Sequence, residues 1–85
     1  MELENCRKEI DEIDRKLTEL FVARMKASER IAEIKKEKSL PVFNAEREKE
    51  VKENAASRAP DDMKAYVAQL YDKIFELSKR IQNDR

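Results

Sequence analysis

Apolar residues recur at alternating steps of three and four along the first 34 residues of the chain, with a gap at position 24. This apolar stripe comprises Leu3, Cys6, Ile10, Ile13, Leu17, Leu20, Ala27, Ile31 and Ile34. The spacing places an apolar side chain on the same helix face at nearly every turn. No proline or glycine interrupts it. The pattern predicts one long amphipathic helix, from about residue 2 to about residue 38.

The length of this helix constrains the assembly. At about 1.5 Å per residue it spans about 50 Å, whereas a compact monomer of this size has a radius of gyration of about 12 Å. The helix must therefore extend beyond any core that one chain can form, with part of its apolar stripe exposed. A homodimer in which two long helices run alongside one another would cover that stripe. We expect an all-α, intertwined helical homodimer.

The remainder of the chain predicts two further helices. Pro41 cannot continue the first helix, and Asn44 is a typical N-cap for a short second helix from about Ala45 to Ser57. Pro60 suits the first position of a medium-length third helix. Its apolar series runs from Met63 to Ile81, again in steps of three and four. We expect one domain over residues 1–85.

Composition excludes several classes of function. The 19 basic and 19 acidic residues cancel, so nothing in the net charge favours a nucleic acid or an anionic membrane as partner. The chain has no histidine and one cysteine, so we expect no metal site and no internal disulfide, with Cys6 as a small core residue. No apolar run is long enough to span a membrane, and the acidic N-terminus does not resemble a signal peptide. The cytoplasm is the expected location.

Arg24 occupies the gap in the apolar stripe. A guanidinium group in an apolar surface is costly unless an anion meets it. It could extend to solvent, pair with a glutamate from another helix, or bind an anionic ligand. Lys35, Arg7 and Arg47 border the same predicted interior, although each taken alone is better explained as a solvated charge.

Taken together, these cations suit a small molecule with more than one carboxylate, since arginine matches carboxylate geometry. Arg7 lies about 25 Å from Arg24 along one helix, so it could reach the same site only from a second, antiparallel chain. The sequence offers no histidine, no Cys–His pair and no glycine-rich loop. Any catalysis would therefore come from positioning and charge.

The order and spacing of these residues are similar to those of a known family. The set comprises Arg7, the segment Ile13-Asp14-Arg15-Lys16-Leu17, Arg24, Lys35, Pro41-Val42, Arg47-Glu48, and Ser78 with Gln82. It resembles the small all-helical chorismate mutases of the bacterial intertwined-dimer type, over nearly the whole chain. The resemblance implies a Claisen rearrangement of chorismate to prephenate, in phenylalanine and tyrosine biosynthesis, without a cofactor or metal.

The resemblance also implies roles for individual residues. Arg24, and Arg7 from the partner chain, would hold the two carboxylates of chorismate. Lys35 and Gln82 would donate hydrogen bonds to the ether oxygen, where negative charge grows as the C–O bond breaks. Glu48 would accept a hydrogen bond from the ring hydroxyl. The remaining lining would comprise the segment at Asn44, the polar residues Arg47 and Ser78, and an apolar wall of Ile31, Val51 and Phe75.

One position departs from the family pattern, and two other functions stay open. Asn44 stands where bacterial members more often have aspartate, which leaves a backbone group there to serve the hydroxyl. Similar helical proteins act as pyruvate lyases on isochorismate. A non-catalytic helical dimerisation module, with its charges on the surface, is the other alternative.

Overall fold

The computed structural model describes residues 1–84, and this part of the chain folds into three α-helices without strands. They are α1 (Glu2–Glu37), α2 (Ala45–Ser57) and α3 (Lys64–Asn83), with a short 3-10 turn (Asp61–Met63) before α3. The all-α prediction of a long, a short and a medium helix is confirmed. Position 85 of the predicted domain lies outside the described residues.

The end of α1 is set by Ser39, four residues after Lys35. Ser39 has a positive φ of 57°, in the left-handed region that usually favours glycine. Its N–H donates to the carbonyl of Lys36 at 3.2 Å, and the Leu40 N–H donates to the carbonyl of Lys35 at 2.8 Å. These bonds satisfy the last carbonyls of α1 and turn the chain before Pro41 is reached.

Side chains close both ends of α2. Asn44 is its N-cap, as predicted, and its Oδ1 accepts a hydrogen bond from the Arg47 N–H at 3.0 Å. At the other end, Lys64 Nζ donates to the carbonyls of Ala56 and Ala59, both at 3.0 Å. The caps compensate for a helix with few apolar side chains, which would be marginal in isolation.

The third helix begins later than predicted. Pro60 is extended (φ −62°, ψ 155°) and precedes the 3-10 turn, and α3 begins at Lys64. The Met63 N–H donates to the Pro60 carbonyl at 2.9 Å, a bond to the third preceding residue that keeps this turn tighter than an α-helix.

The core lies where α3 packs against the second half of α1 and against α2. Its buried apolar residues are Met25, Ala32, Ala55 and Phe75. Helices α2 and α3 run in opposite directions, because Glu48 contacts Lys79 and the later Lys52 contacts the earlier Asp72. The helices therefore surround one small core near one end of the molecule.

The first half of α1 extends beyond this core, as predicted. Residues 1–20 are all exposed, including Ile13 at 53% and Leu20 at 69%. The molecule is 56 Å long with a radius of gyration of 15.9 Å, larger than the value of about 12 Å for a compact chain of this length. Cys6, predicted as a core residue, is exposed in the single chain.

No helix within residues 1–84 has both the length and the apolar character that crossing a bilayer requires.

Candidate active site

A cavity of about 390 Å³ lies between the second half of α1, α2 and the C-terminal half of α3. This volume is in the range of small-molecule sites. Seven of the eight predicted site residues line it, from all three helices and the α1–α2 connection: Arg24, Lys35, Asn44, Arg47, Glu48, Ser78 and Gln82. Ile31, Val51 and Phe75 contribute apolar lining, as expected.

The guanidinium of Arg24 is held by a hydroxyl group and two aromatic rings. Its Nη1 donates to Ser78 Oγ at 3.0 Å. Its central carbon lies 5.8 Å from the ring centre of Tyr71 and 5.9 Å from that of Phe75, within cation–π range. No acid among the described residues forms a salt bridge with it. The alternative of an Arg24–glutamate pair within one chain is therefore wrong.

Lys35 connects the end of α1 to the loop that follows. Its Nζ donates to the Val42 carbonyl at 2.8 Å. An ammonium group has three N–H donors, so this bond fixes the position of Nζ at the cavity and leaves further donors for a ligand.

Asn44 and Arg47 lie at the start of α2, and both already have partners. The side-chain oxygen of Asn44 caps the helix. Arg47 Nη1 pairs with Glu50 on the exposed side of α2, and 63% of the Arg47 side chain is exposed. The amide of Asn44 thus has a structural task here, and Arg47 belongs to the rim of the cavity.

Two hydroxyl groups and an amide form the polar wall towards α3. Ser28 and Ser78 are both buried, and Ser28 Oγ donates to Ser78 Oγ at 3.5 Å. One turn beyond Ser78, the Gln82 Oε1 atom is buried without a hydrogen-bond partner among the described residues. Such an atom costs free energy unless a ligand or water satisfies it.

Glu48 pairs with a residue that the sequence reading had not selected. Its Oε2 lies 3.4 Å from Lys79 Nζ, and both side chains line the cavity. Ser28 was missed as well. Each lies one helical turn from a predicted residue, since Lys79 follows Phe75 by four residues and Ser28 follows Arg24 by four. This spacing alone does not distinguish them from the other polar residues of the same helices.

Arg7 does not line the cavity. It lies on the exposed first half of α1, about 25 Å along the helix axis from Arg24. A single chain therefore does not bring Arg7 to the other seven residues.

The arrangement can bind and polarise a small anion. Four cationic side chains and one carboxylate line the cavity, which leaves an excess of positive charge beside an apolar wall. No cluster of three or more potential metal ligands occurs in residues 1–84. Donors held in a partly dehydrated cavity stabilise negative charge more strongly than they would in water.

Comparison with known proteins matches the chain to one family. A family model described as chorismate mutase type II matches residues 6–83, a range that contains all eight predicted site residues. The bifunctional chorismate mutase/prephenate dehydratase of Aquifex aeolicus (strain VF5) is 46% identical over 50 residues, which are 59% of this chain and 14% of that protein. The chain thus corresponds to a small part of this relative. No solved structure matches the chain.

Proposed function

Because the chain belongs to the chorismate mutase type II family, we propose that it catalyses the rearrangement of chorismate to prephenate, a step in phenylalanine and tyrosine biosynthesis. Residues 1–85 would act as one domain in this reaction. The protein would then be an isomerase that catalyses an intramolecular transfer.

One observation carries this proposal: cations and hydrogen-bond donors from different helices line a single cavity with an apolar wall. Chorismate is a flexible molecule with two carboxylates, and it fits such a charge distribution. Its rearrangement breaks an ether C–O bond as a C–C bond forms, with no covalent intermediate and no proton transfer. The protein would need to hold the reactive conformer and stabilise the charge that develops.

The ether oxygen would lie between Lys35 and Gln82. Negative charge grows on this oxygen as the C–O bond breaks, so a fixed ammonium group stabilises the transition state more than the substrate. The bond from Lys35 to the Val42 carbonyl supports this role, because it holds the ammonium in place before the substrate arrives. The Gln82 amide would donate from its nitrogen, and its buried oxygen would find a partner in the occupied site.

The remaining polar groups of the cavity would bind one carboxylate and the ring hydroxyl of chorismate. Arg24 would bind one carboxylate with the N–H groups that do not contact Ser78. Glu48 would accept a hydrogen bond from the ring hydroxyl, since it is the acid that lines the described cavity. With the Asn44 side chain engaged as the helix cap, this segment would assist through its backbone. Arg47 would close the rim.

The second carboxylate would be bound by Arg7 of another copy of the chain. Two long α1 helices packed antiparallel would bring the first half of one helix to the cavity of the other. The exposed residues 1–20 support a homodimer, because an exposed apolar stripe of this length is unusual in a monomer. Each dimer would have two equivalent cavities.

The test is a direct assay of the purified protein with chorismate, with prephenate identified as the product. Arg24→Ala should reduce kcat/KM by about 100-fold or more, because a substrate carboxylate would lose its charged partner in the cavity, and should leave the helical content unchanged. Arg30→Ala is the matched control, since Arg30 is an exposed arginine of the same helix.

Isochorismate in a parallel assay separates the lyase from the mutase. Pyruvate from isochorismate, with no prephenate from chorismate, would replace the proposed reaction with the lyase reaction. Absence of both products, with Arg24→Ala as stable as the parent protein or more so, would favour a dimerisation module.

A further inference from the structure

Lys79 lines the cavity, and in the sequence of α3 it stands between two predicted site residues, Ser78 and Gln82. Its Nζ is 3.4 Å from Glu48 Oε2 and 4.7 Å from the ring centre of Phe43. The ammonium group thus contacts both a carboxylate from α2 and an aromatic ring from the α1–α2 connection. Three segments of the chain meet at this one side chain.

The Glu48–Lys79 pair is the least exposed ion pair in residues 1–84. Its side chains are 26% and 36% exposed, whereas the other interhelical pair, Lys52–Asp72, is 39% and 58% exposed. The ion pairs within α1, such as Arg15–Glu19, are more than half exposed at both partners. Because screening by water weakens with burial, the Glu48–Lys79 pair is the least screened of these ion pairs.

Glu48 needs such a partner because three further cations line the same cavity. Arg24, Lys35 and Arg47 line the same cavity, and a carboxylate there is attracted to all of them. A Glu48 side chain that turned to Arg24 or Lys35 would occupy the donors that a dicarboxylate substrate needs. The cation–π contact with Phe43 gives Lys79 a second partner at the same place.

We propose that Lys79 is a positioning residue that holds the Glu48 carboxylate at the cavity wall and so keeps Arg24 and Lys35 available to the substrate. This inference rests on the proposed mutase function. Lys79 acts through Glu48 and does not itself contact the reacting atoms.

A double-mutant cycle tests this inference. Lys79→Met removes the charge and keeps most of the side-chain length. It should raise KM for chorismate by about tenfold with a smaller change in kcat, a coupling typical of side chains in direct contact. In a Glu48→Gln background, where no carboxylate competes with the substrate, the same change should have an effect of less than about twofold on KM. Lys79→Arg should restore most of the loss.

Lys52→Met is the matched control, because it also removes an ion pair between α2 and α3 but lies outside the cavity. It should leave KM unchanged. An equal rise in KM for Lys52→Met would assign the effect to helix docking and overturn the inference. An undiminished effect of Lys79→Met in the Glu48→Gln background would also overturn it, since Lys79 would then act without Glu48.

A crystal structure of Lys79→Met separates this inference from the proposed function. The Glu48 carboxylate should turn towards Arg24 or Lys35, whether or not the parent protein forms prephenate. A parent protein without mutase activity would refute the proposed function, and the movement of Glu48 in Lys79→Met would still support the positioning role of Lys79. An unchanged Glu48 in an active parent protein would refute the positioning role alone.

Discussion

Two side chains of the cavity, Arg24 and Gln82, are polar groups that the described residues satisfy incompletely. Arg24 has a hydroxyl partner and two aromatic neighbours but no salt bridge in this part of the chain. Gln82 has a buried oxygen without a partner. Groups of this kind reduce the free energy of unfolding unless a ligand compensates them. Function therefore explains them better than stability does.

For Gln82 we predict opposite effects on stability and activity. Gln82→Leu should raise the free energy of unfolding by about 1 kcal/mol, because it replaces an amide whose buried oxygen lacks a partner with an apolar group. It should lower kcat by about 100-fold, because the proposed donor to the ether oxygen is lost. Urea denaturation and the prephenate assay measure the two effects.

Gln69→Leu, at an exposed position of the same helix, should change neither quantity appreciably. A Gln82→Leu protein that keeps full activity would show that this amide does not serve the reaction.

The sequence indicates a residue of the site when that residue interrupts a pattern or belongs to a set with a recognisable order and spacing. Arg24 was found because it replaces an apolar residue in a regular stripe. Lys79 was not, because a lysine in a chain with 45% charged residues carries no signal by itself. Its contact with Phe43 depends on the path of the α1–α2 connection, which periodicity does not determine.

At the level of elements, the connection between α1 and α2 contains two local features, one that ends α1 and one that begins α2. Ser39 adopts the left-handed conformation without being glycine, and Asn44 caps the next helix. Between them, the Val42 carbonyl accepts a hydrogen bond from Lys35. The backbone conformation of this connection therefore helps to place a proposed catalytic ammonium group.

Ser39→Gly should stabilise the protein. Relief of the left-handed conformation is worth about 1–2 kcal/mol, and the greater freedom of glycine in the unfolded chain offsets part of it. We expect a net gain of about 0.5–1 kcal/mol in the free energy of unfolding, measured by urea denaturation. Ser39→Ala should give no gain, and an equal gain from alanine would mean that backbone strain at this residue is not the cause.

The helices themselves were predictable from local signals. The three-and-four spacing, Pro41 and the Asn44 cap placed α1 and α2 within about a residue. The start of α3 was not, because Pro60 is compatible with both an α-helix and a 3-10 turn. The structure has the 3-10 turn, and Lys64, the residue after it, contacts the end of α2. These contacts form only in the folded chain, so local sequence does not reveal them.

At the level of the whole molecule, the exposed first half of α1 is the dominant feature. Length alone predicted it, since a helix of 36 residues cannot be covered by the short segments that follow. The length of the helix does not identify the surface that covers this half. The proposed dimer would cover it and would also bring Arg7 to a cavity.

A mixing experiment tests this arrangement. Arg7→Ala and Arg24→Ala proteins should each be nearly inactive, and sedimentation should show that both are dimers. After subunit exchange the mixture should recover about a quarter of the parent activity, since about half of the dimers are mixed and each has one complete cavity. No recovery after verified exchange, or a monodisperse monomer at micromolar concentration, would exclude a cavity shared between chains.

The exposed half of α1 also has a consequence for biosynthesis. Within this chain it leaves the ribosome before α2 and α3, and residues 1–20 remain exposed in the folded chain. Its solubility on emergence depends on the opposite side of the helix, where Glu12, Arg15 and Glu19 form a hydrated ion-pair ladder. Substitutions that neutralise this ladder should reduce the yield of soluble protein in the cell even where the purified enzyme turns over normally.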